Sequence, residues 1–175
     1  PEAALQALAV AGIREVELYG LTSADSVFGM PLLSFRTLLD RYNLSMTCTH
    51  VFAENIEVAA VSRSARILGI DTVILTIAPG FIQNSPEGMR VQGPQSIEEM
   101  DNIAELLNSL GRQFRTEGML FGYHNHHVEF LPVAGEIPYN HILWNTDPQF
   151  VRCELDIGWM ALAGVDYLDV LDRFG

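Results

Sequence analysis

Lysine is absent from this chain: all ten basic residues are arginine. That excludes a Schiff-base lysine or a phosphate-loop lysine within these 175 residues. Positive charge of any kind is scarce, and against 22 acidic residues it leaves a net charge of −12. Such a surface repels nucleic-acid phosphates and disfavours a strongly phosphate-bearing substrate, so no nucleic-acid partner is expected. Cysteine occurs only at Cys48 and Cys153, far apart and without a C-x-x-C or a disulfide framework. Both fall in strand-like segments and read as buried, reduced thiols. No apolar run approaches the length that spans a bilayer, and no signal-peptide pattern opens the chain. No membrane partner is therefore expected, and the cytoplasm is the favoured compartment. The first residue is Pro1 rather than methionine, so an upstream targeting segment is not excluded.

What is present is apolar and patterned. With 49% hydrophobic and 18% charged residues, the sequence reads as one globular domain, residues 1–175, with a full core and no repeats or linkers. Five strand candidates stand out: Arg14–Tyr19, Leu44–His50, Thr72–Ile77, Met119–Asn125 and Arg152–Ile157. Helical patterns separate them. Phe35, Leu38, Leu39 and Tyr42 make one stripe; Ile97, Met100, Ile103, Ala104, Leu107 and Phe114 make a longer one, opened by a Ser96-x-x-Glu99 capping box. Further helices fit Glu2–Val10, Asn55–Leu68, Tyr139–Trp144 and Asp166–Phe174.

The alternating order predicts an α/β fold with parallel strands and helical crossovers. Helix-to-strand turns are terse and carry Gly12, Asn43, Gly69 and Gly118, each suited to a left-handed cap. Strand-to-helix connections are long, at Gly20–Leu33, Ala78–Gln95 and Phe130–Pro138. Long loops at the C-terminal strand ends are the pattern of a (β/α)8 TIM barrel, although a doubly wound sheet shares the asymmetry. No G-x-G-x-x-G follows the first strand, which favours the barrel. Eight strands need about 250 residues, so five strands here predict an incomplete barrel. The Gly80–Gln95 stretch, with Pro86, Gly88, Gly93 and Pro94, reads as either a candidate lid or a merely mobile loop.

Chemistry concentrates in Tyr123-His124-Asn125-His126-His127-Val128-Glu129-Phe130, at the end of an apolar run. Strand alternation puts His124 and His126 on one face and Asn125 and His127 on the other, with Glu129 in the following loop. Imidazole with carboxylate suits a divalent metal or a general acid–base pair. His50 ends the second strand, Glu17 lies near the end of the first, and Glu154 and Asp156 share a face of the last. Each has a plain structural alternative: packed histidines, solvated edge carboxylates, or acids held by arginines and backbone amides. Trp159, beyond the last strand, is either a substrate platform or a cover for the core. His141 fits a surface or interhelix position.

At these residues the sequence resembles a known group. Gly122-Tyr123-His124-Asn125-His126-x-x-Glu129-Phe130, then Glu154-Leu155-Asp156-Ile157-Gly158-Trp159 and Ala163-Gly164-Val165-Asp166, resembles the xylose isomerase-like TIM barrels. This is the sugar phosphate isomerase/epimerase group, with inosose dehydratases and 3-keto-sugar epimerases or lyases among its members. Gly12-Ile13-Arg14-Glu15-Val16-Glu17-Leu18-Tyr19-Gly20 is similar to its second-strand segment, so the first, seventh and eighth strands would be the ones lacking.

The resemblance implies a divalent metal (Mn, Mg, Co or Zn) held by Glu, Asp, His and Glu from successive late strands. Glu129 would be the first ligand and Asp156 the second; the other two would come from the seventh and eighth strands. It further implies a sugar substrate and proton transfer next to a carbonyl through an enediolate. Glu129, His124 and His126 are then the catalytic candidates, with His50, Glu17 and Trp159 as substrate contacts. Alternatives are a lyase or dehydratase of the same group, a metal-dependent hydrolase, or a non-catalytic barrel fragment or binding protein. Abasic-site DNA repair on a related barrel is disfavoured by the acidic charge. Open barrel edges would favour a homo-oligomer.

Overall fold

The computed structural model describes residues 1–22, 25–53, 56–85 and 88–174, with residues 84, 85 and 89 described by their backbone alone. The first half runs α1 (Glu2–Val10), β1 (Glu15–Tyr19), β2 (Ser26–Val27), β3 (Met30–Pro31), α2 (Leu32–Arg41), β4 (Ser45–Val51), α3 (Val58–Leu68) and β5 (Thr72–Leu75). The second half runs β6 (Ile82–Ser85), β7 (Gly88–Val91), α4 (Ile97–Thr116), β8 (Leu120–His124), α5 (Pro138–Trp144), β9 (Arg152–Glu154), α6 (Ile157–Leu162) and α7 (Tyr167–Phe174). A 3-10 turn, Val128–Phe130, follows β8. Asn55, the expected start of the third helix, and Pro86 of the expected lid lie outside the described residues.

The five expected strands form one parallel sheet in the order β1-β4-β5-β8-β9. Each crossover carries a helix, as parallel pairing requires. The apolar stripe of α4 explains its place: Met100, Ile103, Ala104, Leu107 and Phe114 are all buried, and Phe114 stacks on Phe121 of β8 at 5.3 Å between ring centroids. Its capping box forms, with the Ser96 hydroxyl accepting from Glu99 N–H at 3.2 Å. Glu99 returns the contact one residue early, to Gln95 N–H at 2.7 Å. On α2, Phe35, Leu38 and Leu39 are buried and Tyr42 is half-buried. Asn43 and Gly69 adopt φ of 53° and 81°, the left-handed turns expected before β4 and β5. Among the described residues no helix is long and apolar enough to cross a membrane.

The structure corrects three sequence expectations. The last strand does not reach Ile157 but stops at Glu154, because Asp156 caps a helix whose first residue is Ile157. That helix, α6, was not expected. The long connections after β1 and β5 also hold small antiparallel hairpins, β2–β3 and β6–β7, rather than plain loop.

Candidate active site

Parallel register brings the functional side chains together at the C-terminal strand ends. Tyr19 pairs with His50 across β1 and β4, and His124 with Glu154 across β8 and β9. Glu154 is the hub. Its Oε2 lies 2.7 Å from His124 Nδ1 and 3.0 Å from His50 Nε2, so one oxygen accepts two imidazole N–H groups. Those bonds select the tautomers: His124 is left with a free Nε2, and His50 with a free, buried Nδ1 that has no partner. His124 Nε2 faces Asp156 Oδ2 at 3.6 Å. The other oxygen of Asp156 accepts Trp159 N–H at 2.9 Å.

Asn125 holds that arrangement from behind. Buried at the end of β8, it donates to the Asp156 carbonyl at 3.2 Å and accepts Asp156 N–H at 2.9 Å. A two-way amide bond of this kind fixes the turn between β9 and α6, and hence where the Asp156 carboxylate points.

Electrostatics differentiate the groups. Burial alone would raise the Glu154 carboxyl, but hydrogen bonds from His124 and His50 overcome it and hold the pKa at about 2. The same bond raises the His50 imidazole against its burial. His126 goes the other way: burial first, then the neighbouring His124 imidazole, lower it to about 4. His126 is therefore neutral at neutral pH, and its Nδ1 is buried without a hydrogen-bond partner.

Glu129 sits in a setting unlike the expected loop carboxylate. It is fully buried in the 3-10 turn. Its Oε1 accepts the Tyr123 hydroxyl at 2.8 Å and its Oε2 accepts His126 N–H at 3.0 Å. Burial raises its pKa to about 7, with Tyr123 and backbone hydrogen bonds pulling the other way.

Glu17 is half-exposed, yet its carboxylate turns toward the cluster. It accepts the Cys48 thiol at 2.8 Å and lies 3.6 Å from His50 Nε2. Burial, then Glu17, push the Cys48 thiol far up. Both cysteines are free, but Cys153 is only half-buried. Trp159, on α6, packs its ring against His126 at 5.3 Å and His127 at 5.2 Å between centroids. His127 was expected to point away from His126. Strand alternation ends at His124, however, and the turn beyond it sets both rings on Trp159. His141 spans α5 to α4, 2.8 Å from Asp101.

Among the described residues, two groups of three have metal-ligand spacing, with ligand atoms within 4.8 Å of one another: His50–His124–Glu154 and Glu17–Cys48–Glu154. Glu129 belongs to neither. Glu154, Asn125 and Tyr123 were not singled out from sequence for these roles. The meeting of His124 with Glu154 follows from strand register, which spacing within one strand does not reveal.

Comparison of the sequence with protein-family models and with curated proteins finds no match. Solved structures share the fold. A sugar phosphate isomerase/epimerase from Parabacteroides distasonis superposes with a TM-score of 0.80 at 22% identity, over 99% of this chain and 65% of its own. D-psicose 3-epimerase in the presence of D-fructose gives 0.71 at 12%, over 99% and 64%. A xylose isomerase-like TIM barrel protein from Mycobacterium smegmatis in complex with magnesium gives 0.62 at 16%, over 91% and 56%. The chain thus has the xylose isomerase-like TIM-barrel fold and spans about two thirds or less of these structures, as an incomplete barrel of five strands.

Proposed function

We propose that this chain carries part of the active site of a metal-dependent sugar or keto-sugar isomerase or epimerase. One observation carries the reading: Glu154 fixes two imidazoles so that the free Nε2 of His124 faces the free Oδ2 of Asp156. An imidazole lone pair and a carboxylate oxygen turned toward each other suit a borderline divalent cation such as Co or Zn, and the harder Mn or Mg through the carboxylate. A carboxylate behind the ligating imidazole is the usual support for such a ligand. The residues present therefore fit the implied metal, with His124 and Asp156 as its holders and the remaining ligands supplied from outside these five strands. When bound, the metal would supply electrophilic polarisation of a carbonyl oxygen.

The chain's own groups do the rest. His50, whose pKa is raised, is suited in its imidazolium form to pass its Nε2 proton from Glu154 to a substrate oxygen, the remaining proton staying on the buried Nδ1. His126, kept neutral, has a lone pair open to a proton from the carbon beside the carbonyl, and its lowered pKa favours the return of that proton, which is isomerisation or epimerisation through an enediolate. Glu129, proposed from the sequence as a ligand, fits better as the buried acceptor that fixes the backbone of His126 and the ring of Tyr123. Glu17, His50 and Trp159 line the approach as substrate contacts. That the solved structures with this fold include epimerases and a magnesium complex supports the sugar class and the cation.

The test is exchange of carbon-bound hydrogen. In D2O with Mn2+, mass spectrometry should find deuterium incorporated into a ketose such as D-fructose, and Asp156→Asn should abolish it together with bound metal. Stoichiometric metal retained in Asp156→Asn would sink the ligand assignment; no exchange with any ketose would favour a lyase or a binding protein.

A further inference from the structure

A cleft of about 440 Å3 opens at the strand-end rim beyond β5, apart from the imidazole–carboxylate cluster. Its size lies in the range of small-molecule sites. The floor is apolar: Phe81 and Ile103 are buried and Leu106 is half-buried. The walls are primary amides, with Gln83 from β6, Gln92 and Gln95 from the β7–α4 connection, and Asn102 from α4. Gln95 spends its amide on the Gly93 and Pro94 carbonyls, and Glu99 spends one oxygen on Gln95 N–H. The side-chain amides of Gln83, Gln92 and Asn102 have no hydrogen-bond partner among the described residues.

Three free amides converging over an apolar floor narrow the ligand chemistry. An amide both donates and accepts, as a hydroxyl does, and so pairs with one in either direction. Among the described residues, no cationic side chain lines the cleft to receive an anion. A wholly apolar ligand would strand the amides without partners. With Glu99 already engaged on Gln95 N–H, a neutral, polyhydroxylated ring with C–H faces fits this lining best. The cleft also shares a wall with the active-site turn. Gly93 packs so closely on Val128 that a Cβ there would lie 2.7 Å from the Val128 carbonyl oxygen. Val128 directly follows His127 and precedes Glu129.

We propose that this cleft is a subsite for a neutral glycosyl unit, so that the substrate class is a glycoside or disaccharide rather than a free monosaccharide. The proposal rests on the sugar reading above. Its test is NMR titration of the protein's side-chain amide signals with methyl β-D-glucopyranoside, cellobiose and maltose, with inorganic phosphate as the contrasting probe. The expected result is saturable shifts of the Gln83, Gln92 and Asn102 signals with at least one glycoside and none with phosphate. Asn102→Ala and Gln92→Ala should each weaken that binding roughly five-fold, the worth of one hydrogen bond. Both side chains are exposed or half-exposed, so neither change threatens folding.

Silence of these signals with every glycoside, a response to phosphate instead, or affinity indifferent to both variants would overturn the proposal. Exchange into D-fructose without cleft binding refutes the subsite alone, whereas cleft binding with no exchange into any ketose, free or within a disaccharide, refutes the isomerase reading.

Discussion

A buried carboxylate without a cation beside it is costly, and Glu129 is in that position. Its oxygens accept a phenol and a backbone amide, and the nearest imidazole nitrogen, His126 Nδ1 at 3.9 Å, belongs to a ring that is itself driven neutral. With its pKa raised from 4.5 to about 7, the folded protein holds a proton that the unfolded chain releases earlier. The resulting stability is complete below the unfolded value and is lost as pH rises through about 7; the shift corresponds to about 3 kcal/mol. Glu129→Gln mimics the protonated form, so its melting temperature should vary less than wild type between about pH 5 and 8. An equally steep dependence in the variant would show that another group titrates.

Glu154 behaves oppositely. Its pKa near 2 lies below the ordinary 4.5, so its contribution is present above 4.5 and lost as pH falls through about 2. Glu154→Gln removes the charge that lifts His50, and the His50 titration followed by NMR should move to lower pH; an unmoved midpoint would break the hub assignment. The Tyr-His-Asn-His-x-x-Glu string marked the place of the chemistry in the sequence. It did not show that the string's glutamate turns inward while Glu154, one strand away, meets both imidazoles. Adjacent strands pair only through the fold, so that atom-level matching has no local signature.

At the level of elements, Asp156 has two separable tasks. One oxygen caps α6 through Trp159 N–H, and the other faces His124. Asparagine caps helices about as well as aspartate, whereas alanine forfeits about 1 kcal/mol. Asp156→Asn should therefore leave the denaturation midpoint near wild type while losing metal; Asp156→Ala should lose both. If the two variants are equally destabilised, the cap is not what the carboxylate supports. The capping role also explains why this stretch misread as strand. Glu154-Leu155-Asp156-Ile157 alternates as a strand does, but a capping side chain at Asp156 turns the chain into a helix that alternation cannot announce.

By contrast, α4 was legible throughout, because a stripe at helical period and a capping box agree. Its one tight spot is Gly111, where a Cβ would lie 2.5 Å from the Phe150 carbonyl oxygen, just ahead of β9. Gly111→Ala should push that strand entry away and cost on the order of 2 kcal/mol in chemical denaturation. A neutral result would mean that the α4–β9 approach is slack.

Among the described residues of the whole molecule, the parallel sheet ends on β1 and β9, each paired on one side only. The alternation of strands and helices with uneven loops was enough to anticipate this architecture, since a parallel sheet needs a helix at each crossover. An unpaired strand edge is a template for another chain. Large apolar side chains lie exposed on the same molecule: Tyr19 at the end of β1, Ile157 and Leu162 on α6, and Leu168 and Leu171 on α7. Two forces then compete. Burying the edges and these side chains favours self-association, while a net charge of −12 on every copy opposes it. Salt weakens the repulsion at a Debye length of about 10 Å in 0.1 M and leaves the apolar contacts intact. The 175-residue chain should therefore associate with itself at micromolar concentration, and more strongly as salt is raised. Sedimentation across a salt series measures this directly. A monomer at every concentration and salt level would mean that the edges are shielded, whereas dissociation on adding salt would mean that charge pairing between copies, rather than edge and apolar burial, holds them together.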